Sequence, residues 1–261
     1  MRKRAKLTPY PLDSQKMREY YEMEAAAGHR QDAMYKESDP WDRYWHERRL
    51  EHLGRVFDAL DGESFLEVGC AEGKLMRLFH SFHPDVRRTG FDISEGYLQR
   101  AKSEDPDAEY VQGDAADLPF EDRSFDIVLC AETLEHTLDP EKVFKELGRV
   151  VSRHLVVTVP GRTVPSLMLQ AIGLLKEKPC EERFAEPGRG HLHDIRVNDV
   201  LAMCEATGLS KQRVIIDCYV TVRLARFLHL REGTLRRLDS LLKHVPIFRN
   251  HGLVQIVVAG R

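Results

Sequence analysis

Glu67-Val-Gly-Cys-Ala-Glu-Gly-Lys74 follows directly on the apolar pair Phe65-Leu66 and runs into a segment with helical spacing, Lys74 to His80. Small residues fall at positions 69, 71 and 73, where a strand turning into a helix lets a ligand approach the backbone. A dinucleotide fingerprint GxGxxG would require glycine at 71 and 74; the chain has Ala71 and Lys74, so nicotinamide binding is disfavoured. Glu72 adds an electrostatic objection, because a carboxylate at a helix N-terminus repels a pyrophosphate seated there. A ligand with a positive centre meets no such repulsion.

On either side of this turn, strand-like runs recur at intervals that leave room for a helix: Phe65 to Val68, Thr89 to Asp92, Tyr110 to Gln112, Phe125 to Cys130 and Leu155 to Val159, then Arg213 to Cys218 and Leu253 to Ala259. Helical spacing fills Glu95 to Lys102, Glu141 to Val151 behind the cap Asp139-Pro140, and Val197 to Thr207 ahead of Gly208. This alternation predicts an α/β fold with a parallel sheet covered on both faces.

The chain has 261 residues, 42% of them hydrophobic, enough for a substantial core. Thirty-nine Lys and Arg stand against 42 Asp and Glu, a net charge of −3, which argues against a surface that tracks a nucleic-acid backbone throughout. The five cysteines form no CxxC pair and read as reduced thiols of a cytoplasmic protein. The basic start Met1 to Leu7 lacks the apolar stretch of a signal peptide. The longest apolar stretch, Val164 to Leu175, is broken by Ser166 and Gln170 and falls short of the roughly 18 residues a membrane helix needs.

Residues 1–60 are expected to form an N-terminal helical cap, with a second helix from Trp41 through Val56, and residues 61–261 the ligand-binding domain. Within it, 160–190 has the length and composition of a flap. Residues 222–251 form a helical insertion with seven Lys or Arg against two acids, a local balance of +5. Two readings of that insertion stay open: a solvated amphipathic helix covering the sheet, or a peripheral contact with an anionic membrane surface.

Three acids mark the ends of successive strands. Glu67 lies in the first, Asp92 ends the second 23 residues after Gly69, and Asp114 follows the third; open α/β sheets bind ligands at these ends, and a carboxylate at the second can take two ribose hydroxyls. This set, with Gly90-Phe-Asp-Ile-Ser94, Gly113-Asp-Ala115, Leu118-Pro-Phe120, Ser124-Phe-Asp-Ile-Val128, Leu134-Glu-His136 and Glu146-Leu-Gly-Arg-Val150, resembles the class I S-adenosylmethionine-dependent methyltransferases. The nearest likeness is to ubiquinone-pathway O-methyltransferases. The resemblance implies a Rossmann-like, seven-stranded, mostly parallel sheet and S-adenosyl-L-methionine as cofactor. It implies that the loop of Gly69, Cys70, Ala71 and Gly73 cradles the methionine part, that Asp92 holds the ribose, that Asp114 and Ala115 face the adenine, and that Glu67, Ile93 and Ala131 also belong to the cofactor site. Arg49, with Arg48 as its neighbour and competitor, matches the family's carboxylate-binding arginine; Tyr20, Tyr21 and Tyr35 match an aromatic helix that closes over the cofactor. Ala71 departs from the family's usual glycine.

Methyl transfer needs a positioned acceptor, and a hydroxyl acceptor also needs its proton removed. The fourth strand runs into Cys130-Ala-Glu-Thr-Leu-Glu-His136, which nominates His136 as general base with Glu135 beside it. The spacing Glu132, Glu135, His136 also suits a divalent cation, a site found in some relatives, and His191 ahead of His193 would complete it. Metal-free relatives carry the same Leu-Glu-His in a structural role. The function expected is methyl transfer to a small, hydroxyl-bearing, lipid-linked or quinone-like acceptor. A metal-assisted methyltransferase of RNA 3′-terminal ribose, and a non-catalytic relative that binds cofactor or a partner, are the alternatives.

Overall fold

The strand Ser64–Val68 (β1) is buried at every position, as an interior strand of a parallel sheet with both faces covered must be. In the computed structural model, which describes residues 13–28, 39–161, 163–164, 168, 191–248 and 250–261, β1 is flanked by β2 (Arg87–Asp92) and β4 (Phe125–Ala131), with β3 (Glu109–Gln112) beyond β2. On the far side, β5 (Val151–Pro160) pairs with β7 (Val254–Gly260), and β6 (Ser210–Asp217) closes the sheet. The order is β3-β2-β1-β4-β5-β7-β6. β7 alone runs against the others, so the expected seven-stranded, mostly parallel sheet is present.

The helices fall where the spacing placed them. Among the described residues they are α1 (Ser14–Ala26), α2 (Pro40–Phe57), α3 (Lys74–Phe82), α4 (Glu95–Glu104), α5 (Pro140–Val150) and α6 (Val197–Ala206). The insertion adds α7 (Val222–Phe227) and α8 (Glu232–Leu242). Asp39 and Asp139 cap α2 and α5, each just before a proline; the carboxylate satisfies an orphan amide and the proline presets the first turn.

Each face of the sheet has its own core. Leu66, Val68, Phe144, Leu147, Leu155 and Val200 fill one. On the other, Phe65 stacks on Phe79 with centroids 4.0 Å apart, and Phe57 from α2 joins them. α2 therefore shares a core with the sheet. The insertion shares it too, burying Ala225 and Leu235, and it is latched to α2. Trp41 Nε1 donates to Leu230 O at 3.0 Å. Tyr44 Oη donates to the buried Asp239 at 2.8 Å, and Arg226 and Arg236 ion-pair with Asp39 and Glu51.

Asp217 at the end of β6 lies beside Val254, which lies beside Pro160 at the end of β5. The insertion therefore emerges at the sheet edge where the parallel strands end. The 160–190 segment leaves from the same edge and lies almost wholly outside the described residues, as do Tyr35 and Cys180. Among the described residues, no helix is long and apolar enough to cross a membrane.

β1 ends in a left-handed turn at Gly69, φ +77°, where a Cβ would overlap the Thr133 side chain. Gly69→Ala should therefore destabilise the protein by about 2–4 kcal/mol, combining left-handed strain with overpacking; urea denaturation monitored by circular dichroism reads the loss.

Candidate active site

The turn after β1 is held by the end of β2. The amides of Gly69 and Cys70 both donate to Phe91 O, at 2.7 and 3.1 Å. Ala71 N donates to Asp92 Oδ2 at 2.8 Å, and Ser94 N donates to Asp92 Oδ1 at 2.9 Å. Gly69, Ala71 and Gly73 all have positive φ, which gives an open turn in place of an extra helical turn. Ala71, at φ +44°, keeps this conformation although it is not glycine. Cys70 is buried beneath the turn.

Burial pushes the carboxyl of Asp92 up to about 6 against the hydrogen bonds that favour its charge. Burial likewise holds Glu67 well above the usual carboxylate range, with the Asp92 charge adding to the effect, and Glu67 Oε2 has no hydrogen-bond partner among the described residues. Ile93 packs beside Met17, Tyr20 and Leu192. Asp114 accepts from Ala116 N and from Ser14 Oγ, while Ala115 packs against the core. Ala131 ends β4.

The adjacent arginines of α2 part company. Arg48 goes to Asp217 and Glu51. Arg49 is buried and approaches Glu132 Oε2 at 3.6 Å, so Arg49 is the one at the site. Glu132 sits at φ +50° and also accepts from Thr158 Oγ1 at 2.9 Å. This separates it from the expected metal set. The groups the structure does bring together are Glu135, His136 and His191, whose ligand atoms lie within 4.8 Å of one another. The join is made by backbone: Glu135 O accepts from Leu192 N at 2.7 Å and His193 N at 3.1 Å, which sets the His191 ring 4.8 Å from that of His136. Glu135 is fully buried, and neither of its carboxylate oxygens has a hydrogen-bond partner among the described residues. Burial raises its pKa well above the ordinary value, and Glu132 raises it further.

α1 closes over this edge. Tyr21 places its ring 6.5 Å from His136, and its hydroxyl is pushed up by burial and by Tyr20, Asp92 and Glu135. Glu22 accepts from Glu95 N and Gly96 N at 2.6 and 3.1 Å, capping α4 from outside. Sequence reasoning missed Glu22, Ser14 and Thr158, because a contact between residues 22 and 95 leaves no local pattern. Chemically, the edge gathers buried carboxylates of the kind that suit a cationic ligand, and beside them an imidazole that can take a proton.

Residues 66–155 match the family model described as "Methyltransferase domain". The chain is 33% identical over 112 residues to the demethylmenaquinone methyltransferase of Thermotoga maritima, which covers 43% of this chain and 47% of that one. It is 26% identical over 220 residues to the 27-O-demethylrifamycin SV methyltransferase of Amycolatopsis mediterranei, covering 77% and 76%. The chain thus spans about half the length of the Thermotoga relative. The structure of magnesium protoporphyrin IX methyltransferase from Synechocystis with bound SAH superposes with a TM-score of 0.64, over 95% of this chain and 100% of that one, at 16% identity. That likeness is one of fold.

A carboxyl raised from 3.8 to about 6 on folding takes up a proton between those values. Its stabilising contribution is present below pH 4 and lost as the pH rises through 6. Ligand hydroxyls that donate to the carboxylate act in the opposite sense. Calorimetric affinity for S-adenosylmethionine should accordingly fall about tenfold between pH 7 and 5, and Asp92→Asn should weaken binding and flatten that dependence. Unchanged affinity in the variant would remove Asp92 from the site.

Proposed function

Because the chain belongs to the class I S-adenosylmethionine-dependent methyltransferases, we propose that it methylates a hydroxyl of a small, quinone-like or lipid-linked acceptor, with His136 as general base. The observation that carries this reading is the seating of His136, with Glu135 and His191, at the end of β4, on the strand edge that also holds the Gly69–Gly73 turn and Asp92. The cofactor supplies an electrophilic methyl group when bound. Asp92 and the left-handed turn would hold its nucleoside and methionine parts, and Arg49 its carboxylate, exchanging Glu132 for the ligand. The fit rests on the open turn, on the absence of room for a Cβ at Gly69, and on buried carboxylates that complement a sulfonium.

On the acceptor side, His136 would take the proton of the acceptor hydroxyl onto its imidazole, with its Nε2 3.9 Å from Glu135 Oε1. α1, through Tyr20 and Tyr21, excludes water from the edge. The Thermotoga and Amycolatopsis relatives are named for demethylmenaquinone and 27-O-demethylrifamycin SV, both small-molecule acceptors.

A second reading has one observation in its favour: the two oxygens of Glu135, which accept no hydrogen bond from the described residues, lie within reach of His136 and His191. A divalent cation held there would neutralise the buried acid and lower the pKa of a bound hydroxyl. The two readings separate experimentally. With a phenolic or hydroquinone acceptor and methyl-labelled cofactor, His136→Ala should lower kcat by about 10²- to 10⁴-fold while cofactor affinity is kept. Activity that survives EDTA assigns His136 as base. Activity lost to EDTA and restored by Mg²⁺, Mn²⁺ or Zn²⁺ assigns it as ligand. A fully active His136→Ala sinks both.

A further inference from the structure

Ten large apolar side chains are exposed among the described residues, and six of them, Leu224, Phe227, Leu228, Leu241, Val245 and Ile247, lie in one stretch of 24 residues. Phe227 is 78% exposed, Leu241 67% and Ile247 60%. The spacing of 224, 227 and 228 puts three of them on one face of α7 and its C-terminal turn. α7 and α8 bury Ala225 and Leu235 in the same core cluster and turn their other faces outward.

The charges on these outward faces have been sorted by folding. The acids are withdrawn from the surface or paired: Asp239 is buried and accepts from Tyr44 Oη and Tyr219 N, and Glu232 pairs with Arg236. Two of the cations, Arg226 and Arg236, are likewise tied to acids of α2 and its cap, Asp39, Asp42 and Glu51. Arg231, Arg237 and Lys243 remain exposed, with no ion pair to any described residue. Arg237 and Leu241 stand one helical turn apart, so cation and apolar group share a face.

We propose that residues 224–247 form a docking surface for an anionic phospholipid bilayer. Apolar side chains interleaved with unpaired cations are what the boundary between headgroups and acyl chains accommodates. Each exposed Arg or Lys adds attraction for an acidic leaflet. A second copy of the chain would present the same cations to one another and be repelled. The surface also adjoins the sheet edge where β5 and β6 end, so a docked molecule brings that edge to the membrane.

The full chain should co-sediment with vesicles of phosphatidylcholine mixed with phosphatidylglycerol, and weakly with phosphatidylcholine alone, the difference shrinking at high salt. The double variant Phe227→Ser, Leu228→Ser, and independently Ile247→Ser with Leu241→Ser, should weaken partitioning by about tenfold or more, as loss of inserted apolar groups requires. Arg237→Glu with Lys243→Glu should do the same in a salt-dependent way. All of these positions are exposed and outside the cofactor edge, so melting temperature and affinity for S-adenosylmethionine should not move. Absence of binding to the mixed vesicles overturns the proposal. So does undiminished binding by both apolar variants, or concentration-dependent self-association that those variants abolish.

Discussion

The ligand edge depends on two acceptors at the end of β2. Phe91 O takes the amides of Gly69 and Cys70, and the Asp92 carboxylate takes those of Ala71 and Ser94. Buried amides must find partners. Because β2 supplies these, the chain leaving β1 need not close into a helix at once, and it reaches α3 through residues with positive φ at 69, 71 and 73. The arrangement has a cost, since it keeps a carboxylate buried with its pKa at about 6, and Ala71 and Glu132 hold left-handed backbones at the same edge. Strain concentrated at one edge of a sheet marks where ligands are to be bound.

Much of this was legible because it is local. The small residues at 69, 71 and 73 and the acid ending β2 are consequences of a strand-to-helix turn, and such turns leave their mark within a few residues. The seven strands were read from apolar runs for the same reason, including the edge strand β6, whose run Val214-Ile215-Ile216 marks its second half although the first half is exposed. What escaped was set by tertiary packing. Arg48 and Arg49 are indistinguishable in sequence, yet neighbouring positions on a helix point about 100° apart, and that rotation alone sends one to Asp217 and the other to Glu132. Glu132 belonged to the expected cation set by spacing, but in the fold its carboxylate meets Arg49 and Thr158. Glu22 caps a helix 73 residues away, a relation no periodicity encodes.

The net charge of −3 conceals a separation that the fold completes. Carboxylates collect at the ends of β1, β2 and β4, where burial raises Glu67, Asp92, Glu132 and Glu135 alike. Each raised value reports a charge that the protein does not fully stabilise by itself, and a cationic ligand would lower all four together. The insertion follows the opposite course: its acids are buried or paired, and its unpaired charges are positive.

α2 joins these two regions through adjacent side chains. Arg49 reaches the cofactor edge, while Arg48 is hydrogen-bonded to Asp217 and Glu51, and Glu51 in turn holds Arg236 of the insertion. Burial opposes the charge on Asp217, but His52, the Cys218 amide and Arg48 together hold its carboxyl down to about 2. Its contribution to stability is therefore fully present above pH 4 and is lost only as the pH falls towards 2. Across the neutral range the latch stays ionised and closed. The insertion and the strand edge that carries Asp92 and Glu132 are thus both tied to one helix, through Glu51 and Arg236 on one side and Arg49 and Glu132 on the other.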